Sequence, residues 1–202
     1  MTRRSIPPPE PFARICPPRR AVLAGLAASL ALPASTRAEE EKPGSDERPQ
    51  PGDIVVFAED EHAGEPVKAA DLVADAEPVM AWPMDPTSKV VRDGSRLNYL
   101  LLLRLDPNGL DDETRMASAD GIVAYSAICS HAGCPVNAYL EEQGRKVLKC
   151  FCHNSVYDPR QQAAVVSGPA ERRLAGLPLQ LSDGKLVVKA KFNGKVGPAQ
   201  SG

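Results

Sequence analysis

The chain has 202 residues, a net charge of −2, 20 prolines and 4% aromatic residues. That length holds one domain of ordinary size plus extra segments. The near-neutral balance, with no basic stripe interleaved with aromatics, excludes a nucleic-acid surface.

The first 38 residues read as a targeting segment. A basic, proline-broken stretch ("MTRRSIPPPEPFARICPPRR") leads into the weakly apolar "AVLAGLAASLALPAS" and then "TRAEEE". Arg19-Arg20 directly precedes the apolar run and resembles a twin-arginine export signal, with cleavage expected after Ala38. Residues 21–35 as a helix reach only ~22 Å, short of a ~30 Å hydrocarbon core, so a membrane anchor is expected only if this segment stays uncleaved. Cleavage removes six Arg, one Glu and Cys16, leaving a net charge of −7 and four cysteines. The expected location is periplasmic.

Residues 39–52, "EEEKPGSDERPQPG", are charged and rich in Pro and Gly, and are expected to be a flexible linker. From residue 53 the pattern is one of short strands at 54–58, 78–82, 97–105, 121–128, 146–150, 177–181 and 185–192. "SDGK" at 182–185 signals a hairpin. Residues 68–75 suggest a short helix, and "PNGLDDETRMASAD" at 107–120 a surface loop. Strands punctuated by turns over 53–202 predict an all-β sandwich or barrel. Trp82 and the leucines at 100–103 are expected in its core, and His62 in a solvated loop.

Chemistry concentrates in two hexapeptides, "CSHAGC" at 129–134 and "CFCHNS" at 150–155. Cys129 with His131, and Cys150 with His153, form two close donor pairs. Two thiolates and two imidazoles suit either a closed tetrahedral zinc site or a 2Fe–2S cluster with mixed ligands, and Cys134 and Cys152 are left over. Both outcomes remain open on spacing alone.

The two hexapeptides resemble the cluster-binding boxes of Rieske iron–sulfur proteins, Cys-x-His-x-Gly-Cys and Cys-x-Cys-His-x-Ser, over roughly residues 121–192. The resemblance implies a Rieske-type antiparallel β fold with an inserted cluster-binding part at about 121–175. It implies one 2Fe–2S cluster, with Cys129 and Cys150 on one iron and His131 and His153 on the other, and a disulfide between Cys134 and Cys152. Ser155 and Tyr157 match positions whose hydroxyls donate to cluster sulfurs and raise the potential. Pro169, in "SGPA" at 167–170, matches a loop that covers the cluster. Two departures stand out: Asn154 replaces a usual glycine, and Phe151 a usual proline. Neutral imidazoles in place of thiolates ease reduction, so Rieske centres span ~−150 to +300 mV against ~−400 mV for plant-type ferredoxins.

Such a cluster moves single electrons, so substrate chemistry is expected on a partner. "GIVAYSAICSHAGCPVN" and "CFCHNSVYDP" resemble the small subunit of arsenite oxidase more than the Rieske subunit of a quinol-oxidising cytochrome bc complex. The expected partners are therefore a larger, molybdenum-containing oxidoreductase subunit and an acceptor such as a c-type cytochrome. The cytochrome bc setting is the alternative, and a structural zinc-binding module the reading outside redox chemistry. Coupling of electron loss to deprotonation of His131 and His153 is expected to lower the potential above neutral pH.

Overall fold

The structure, a computed structural model, describes residues 42–199; the expected export signal at 1–38 lies outside the described residues. Among the described residues ten strands form two antiparallel sheets. The strands are β1 (Ile54–Phe57), β2 (Val79–Met84), β3 (Leu100–Arg104), β4 (Ile122–Ser126), β5 (Ala138–Glu142), β6 (Arg145–Cys150), β7 (Ser155–Asp158), β8 (Ala164–Ser167), β9 (Leu179–Ser182) and β10 (Lys185–Val188). The larger sheet runs β4-β3-β2-β1-β10-β9, and the smaller β5-β6-β7-β8. The larger sheet curls: Leu177 N–H donates to Ala124 O at 2.9 Å and Ser126 N–H to Ala175 O at 2.8 Å, which closes it against β4. The expected all-β fold is the observed one.

Alternation along the strands divides the interior in two. Leu100 and Leu102 of β3, with Ile122 and Ala124 of β4, enter a core inside the larger sheet beside Val55, Leu179, Leu186 and Val188. Their neighbours Leu101, Leu103, Val123 and Tyr125 point the other way, into a core shared with Tyr139, Leu148 and Tyr157 of the smaller sheet. Side chains two residues apart on a strand share a face, which is how four consecutive leucines serve two cores. All four are at most 1% exposed. Trp82, expected in the core, is only half-buried and packs at 4.5 Å on the Tyr99 ring.

Residues 42–52 are not the free linker that their composition suggests. Arg92, nearly buried, holds Asp53 through two bonds of 2.6 and 3.0 Å, and reaches Glu47 at 2.9 Å and Gly44 O at 3.3 Å. Asn98 Nδ2 donates to Glu47 O at 2.7 Å, and Gly52 N–H to Val188 O at 2.9 Å. A buried guanidinium needs acceptors on all sides, and this segment supplies two of them, the Gly44 carbonyl and the Glu47 carboxylate.

The "SDGK" hairpin is present, with Asp183 (φ 50°) and Gly184 (φ 74°) joining β9 to β10. The helix expected at 68–75 is one 3-10 turn, Ala69–Asp71, closed by Lys68 N–H on Asp71 Oδ2 at 2.8 Å. At the end of this turn Leu72 alone is anchored in the core inside the larger sheet. Val73 beyond it is 72% exposed, so the apolar contact does not continue into a further helical turn. Conversely, the loop expected at 107–120 contains a helix, α1 (Asp112–Ala117), capped by Asp111 accepting from Thr114 N–H at 2.7 Å. Among the described residues no helix is long and apolar enough to cross a membrane.

Candidate metal centre

Strand geometry delivers the two hexapeptides to one place. Val123, Tyr125, Ala127 and Cys129 alternate onto one face, so Cys129 enters the core shared by the two sheets. Leu148 and Cys150 do the same from β6. The first hexapeptide closes on itself: Cys129 N–H donates to Cys134 O at 2.8 Å, and Gly133 N–H to Cys129 O at 3.0 Å. Gly133 has φ +75°, and a side chain there would press on Arg96 and Pro198. In the second, Cys150 and Ser155 are paired across β6 and β7, leaving Phe151 to Asn154 as the turn. Asn154 adopts φ 60°, the left-handed conformation for which it is a tolerated substitute for glycine.

The rings of His131 and His153 meet edge to face at 4.7 Å between centroids. Cys129 and Cys150 are buried, at 2% and 1% exposure, whereas Cys134 is half-buried and Cys152 exposed. The sulfurs of Cys134, Cys150 and Cys152 all lie within 4.8 Å of one another. All four cysteines are free thiols, so the disulfide implied for Cys134 and Cys152 is not formed in this structure.

Electrostatics separates the two inner thiols. Burial opposes ionisation of Cys129, but hydrogen bonds from Tyr157 and from the His131 and Ala132 backbone outweigh it and lower its pKa. Burial, joined by the neighbouring Cys129, pushes Cys150 up to about 12. The surroundings thus favour the thiolate at Cys129 and oppose it at Cys150. Two thiolates side by side need a positive centre to hold them.

Tyr157 is wholly buried, and its phenol oxygen lies 3.1 Å from Cys129 Sγ. Burial raises the phenol pKa far above its ordinary range, and Cys129 adds to this, so the phenol stays protonated and donates to the sulfur. Ser155 is also wholly buried, and its Oγ has no hydrogen-bond partner; neither has the buried Nδ1 of His131. An unpaired buried polar group costs about 1–3 kcal/mol, and among the described residues these two are the only such side-chain atoms. Both belong to the hexapeptides. Unspent nitrogen and hydroxyl donors beside four free thiols fit a cluster with sulfur and imidazole ligands.

The 167–170 loop reaches this site through Gly168. With φ +89°, it lies so close to the second hexapeptide that a side chain would sit 2.4 Å from Asn154 O. Pro169 next to it is exposed. Phe151 is 63% exposed at the tip, and Lys149 Nζ lies 5.8 Å from its ring. His62 is remote from the hexapeptides in sequence and faces Glu65 at 3.2 Å in an exposed turn. Sequence reasoning passed over Ser130, whose hydroxyl joins Tyr157 to the Arg172 carbonyl, and Arg96, which donates to Gly133 O at 3.1 Å. Ser130 was visible inside the first hexapeptide, but its carbonyl partner is 42 residues away.

Comparison with known proteins agrees with this donor set. Residues 106–178 match the family described as Rieske [2Fe-2S] domain. A stretch of 102 residues is 41% identical to the cytochrome bc1 complex Rieske iron-sulfur subunit of Streptomyces lividans, covering 50% of this chain and 59% of that one. Another of 79 residues is 48% identical to a putative respiratory nitrate reductase Rieske subunit of Haloferax mediterranei, covering 39% and 34%. The chain therefore spans less than two thirds of the length of either relative. Among solved structures, the soluble domain of Rieske protein II from Sulfolobus acidocaldarius matches with a TM-score of 0.40 at 20% identity, over 50% of this chain and 66% of that one.

Proposed function

Residues 106–178 are a Rieske [2Fe-2S] domain, and from that premise we propose that the chain is an exported electron-transfer subunit. It passes single electrons from a larger oxidoreductase subunit to an acceptor such as a c-type cytochrome. When bound, the cluster supplies one-electron chemistry and nothing else. Cys129 and Cys150 hold one iron, and His131 and His153 the other. Burial supports this choice of sulfurs over the outer pair, Cys134 and Cys152, although distance alone groups Cys150 with that pair. The single observation that carries the reading is the pair of orphaned buried atoms, His131 Nδ1 and Ser155 Oγ.

The residues around the donors have distinct work. Tyr157 donates to Cys129, and Ser155 is free to donate to a sulfide; both stabilise added negative charge and raise the potential. Cys134 and Cys152 are near enough for a disulfide to link the two hexapeptides once the chain reaches an oxidising compartment. Export by the twin-arginine route, with cleavage after Ala38, suits a chain that folds around its metal first. The Pro169 loop screens the cluster from water.

Two settings compete for the partner. One is a molybdenum-containing catalytic subunit of the arsenite-oxidase type, supported by the wording of both hexapeptides and by the short apolar run at 21–35. The other is a quinol-oxidising cytochrome bc complex, supported by the Streptomyces lividans relative. Fractionation of the native source separates them. Co-purification with a molybdenum-containing subunit from the soluble periplasm supports the first, and retention in membranes with cytochromes b and c supports the second. A chain recovered from the cytoplasm with its first 38 residues intact contradicts export.

A further inference from the structure

Ser130 lies between Cys129 and His131 and is 6% exposed. Its Oγ has two neighbours, the main-chain carbonyl of Arg172 at 2.5 Å and the phenol oxygen of Tyr157 at 3.2 Å. A serine hydroxyl has one proton and two lone pairs, and a carbonyl only accepts. The Ser130 proton therefore goes to Arg172, and its oxygen meets Tyr157 as an acceptor. Tyr157 also has a single proton, and two acceptors lie within reach of it: Cys129 Sγ at 3.1 Å and Ser130 Oγ at 3.2 Å. There is one proton for two places.

We propose that Ser130 is a positioning residue that competes with Cys129 for the phenol proton of Tyr157, and so holds the midpoint potential below the value an uncontested phenol would set. The proposal rests on the reading of Cys129 as an iron ligand. Added negative charge makes a sulfur a better acceptor, because hydrogen bonds to charged groups are the stronger ones. In the reduced protein the phenol proton faces Cys129. In the oxidised protein the sulfur is a weaker acceptor, and Ser130 takes a larger share. An acceptor that matters more in the oxidised state stabilises that state and lowers the potential. Tyr157 alone raises the potential, and Ser130 moderates it.

Redox titration followed by EPR and circular dichroism tests this in the loaded protein. Ser130→Ala is expected to shift the midpoint potential upward and Tyr157→Phe downward. Ser130→Thr, which keeps the hydroxyl, should stay near wild type. In a Tyr157→Phe background Ser130→Ala should produce no further shift, because no phenol proton is left to contest. A purely structural role, loss of the contact to Arg172, would persist in that background. An intact EPR signal with an unmoved or lowered potential in Ser130→Ala overturns the Ser130 proposal alone, as does an equal shift with and without the phenol. Wild-type protein that takes up no iron overturns the ligand assignment as well.

Discussion

The larger sheet and the end of the smaller one treat buried polar atoms in opposite ways. Around the larger sheet the buried guanidinium of Arg92 is met by Asp53, Glu47 and the Gly44 carbonyl, and Asn98 by two carbonyls. At the hexapeptides His131 Nδ1 and Ser155 Oγ have no partner, and four thiols are free. The first region spends its hydrogen-bonding capacity on folding, and the second keeps it for a ligand. Tyr125 and Tyr157 show the contrast within one core: Tyr125 donates to the Pro159 carbonyl at 2.8 Å, whereas Tyr157 faces Cys129.

If that division holds, damage to the scaffold should change stability while leaving the potential of the folded protein alone. The largest effect is expected from Asp53→Ala, which leaves Arg92 buried without its bidentate partner. Chemical denaturation should record a loss of about 3–5 kcal/mol, with an unchanged EPR spectrum in the folded fraction. Leu102→Ala opens a cavity in the core inside the larger sheet and should cost about 2–5 kcal/mol by the same measurement. A potential shift in either variant would mean that the two regions are coupled. Asp111→Ala removes the cap of α1 and should cost about 1 kcal/mol, seen as a small fall in thermal midpoint. Ser155→Ala should do the reverse of the scaffold variants. The metal-free protein should be as stable as wild type or gain up to about 1 kcal/mol, since an unpaired hydroxyl has gone, while the loaded protein titrates at a lower potential. Destabilisation of the metal-free protein by this change would mean that Ser155 serves the fold.

Much of this was legible in the sequence, for identifiable reasons. Strands that face water on one side or carry β-branched runs, such as Ile54–Phe57 and Lys185–Val188, announce themselves through composition and turn residues. Ser155–Asp158 did not, because polar Ser155 and Asp158 bracket only two apolar residues, although all four are buried. The donor residues were legible because their chemistry is local to two hexapeptides. What supports them was not: Ser130 depends on Arg172, Gly168 on Asn154, and residues 42–52 on Arg92, contacts that only the folded chain makes. The cap on α1 was overlooked although "LDDET" carries both the capping aspartate and an acidic first turn.

The division of labour stands on the hexapeptides binding iron through sulfur on one side and imidazole on the other. Iron, zinc and acid-labile sulfide in purified wild-type protein and in His153→Ala, read together with visible absorbance, test this most directly. Iron and sulfide in equal amounts in the wild type, with the visible bands lost in the variant, is the predicted result. Zinc without sulfide, or full absorbance surviving in His153→Ala, would contradict it.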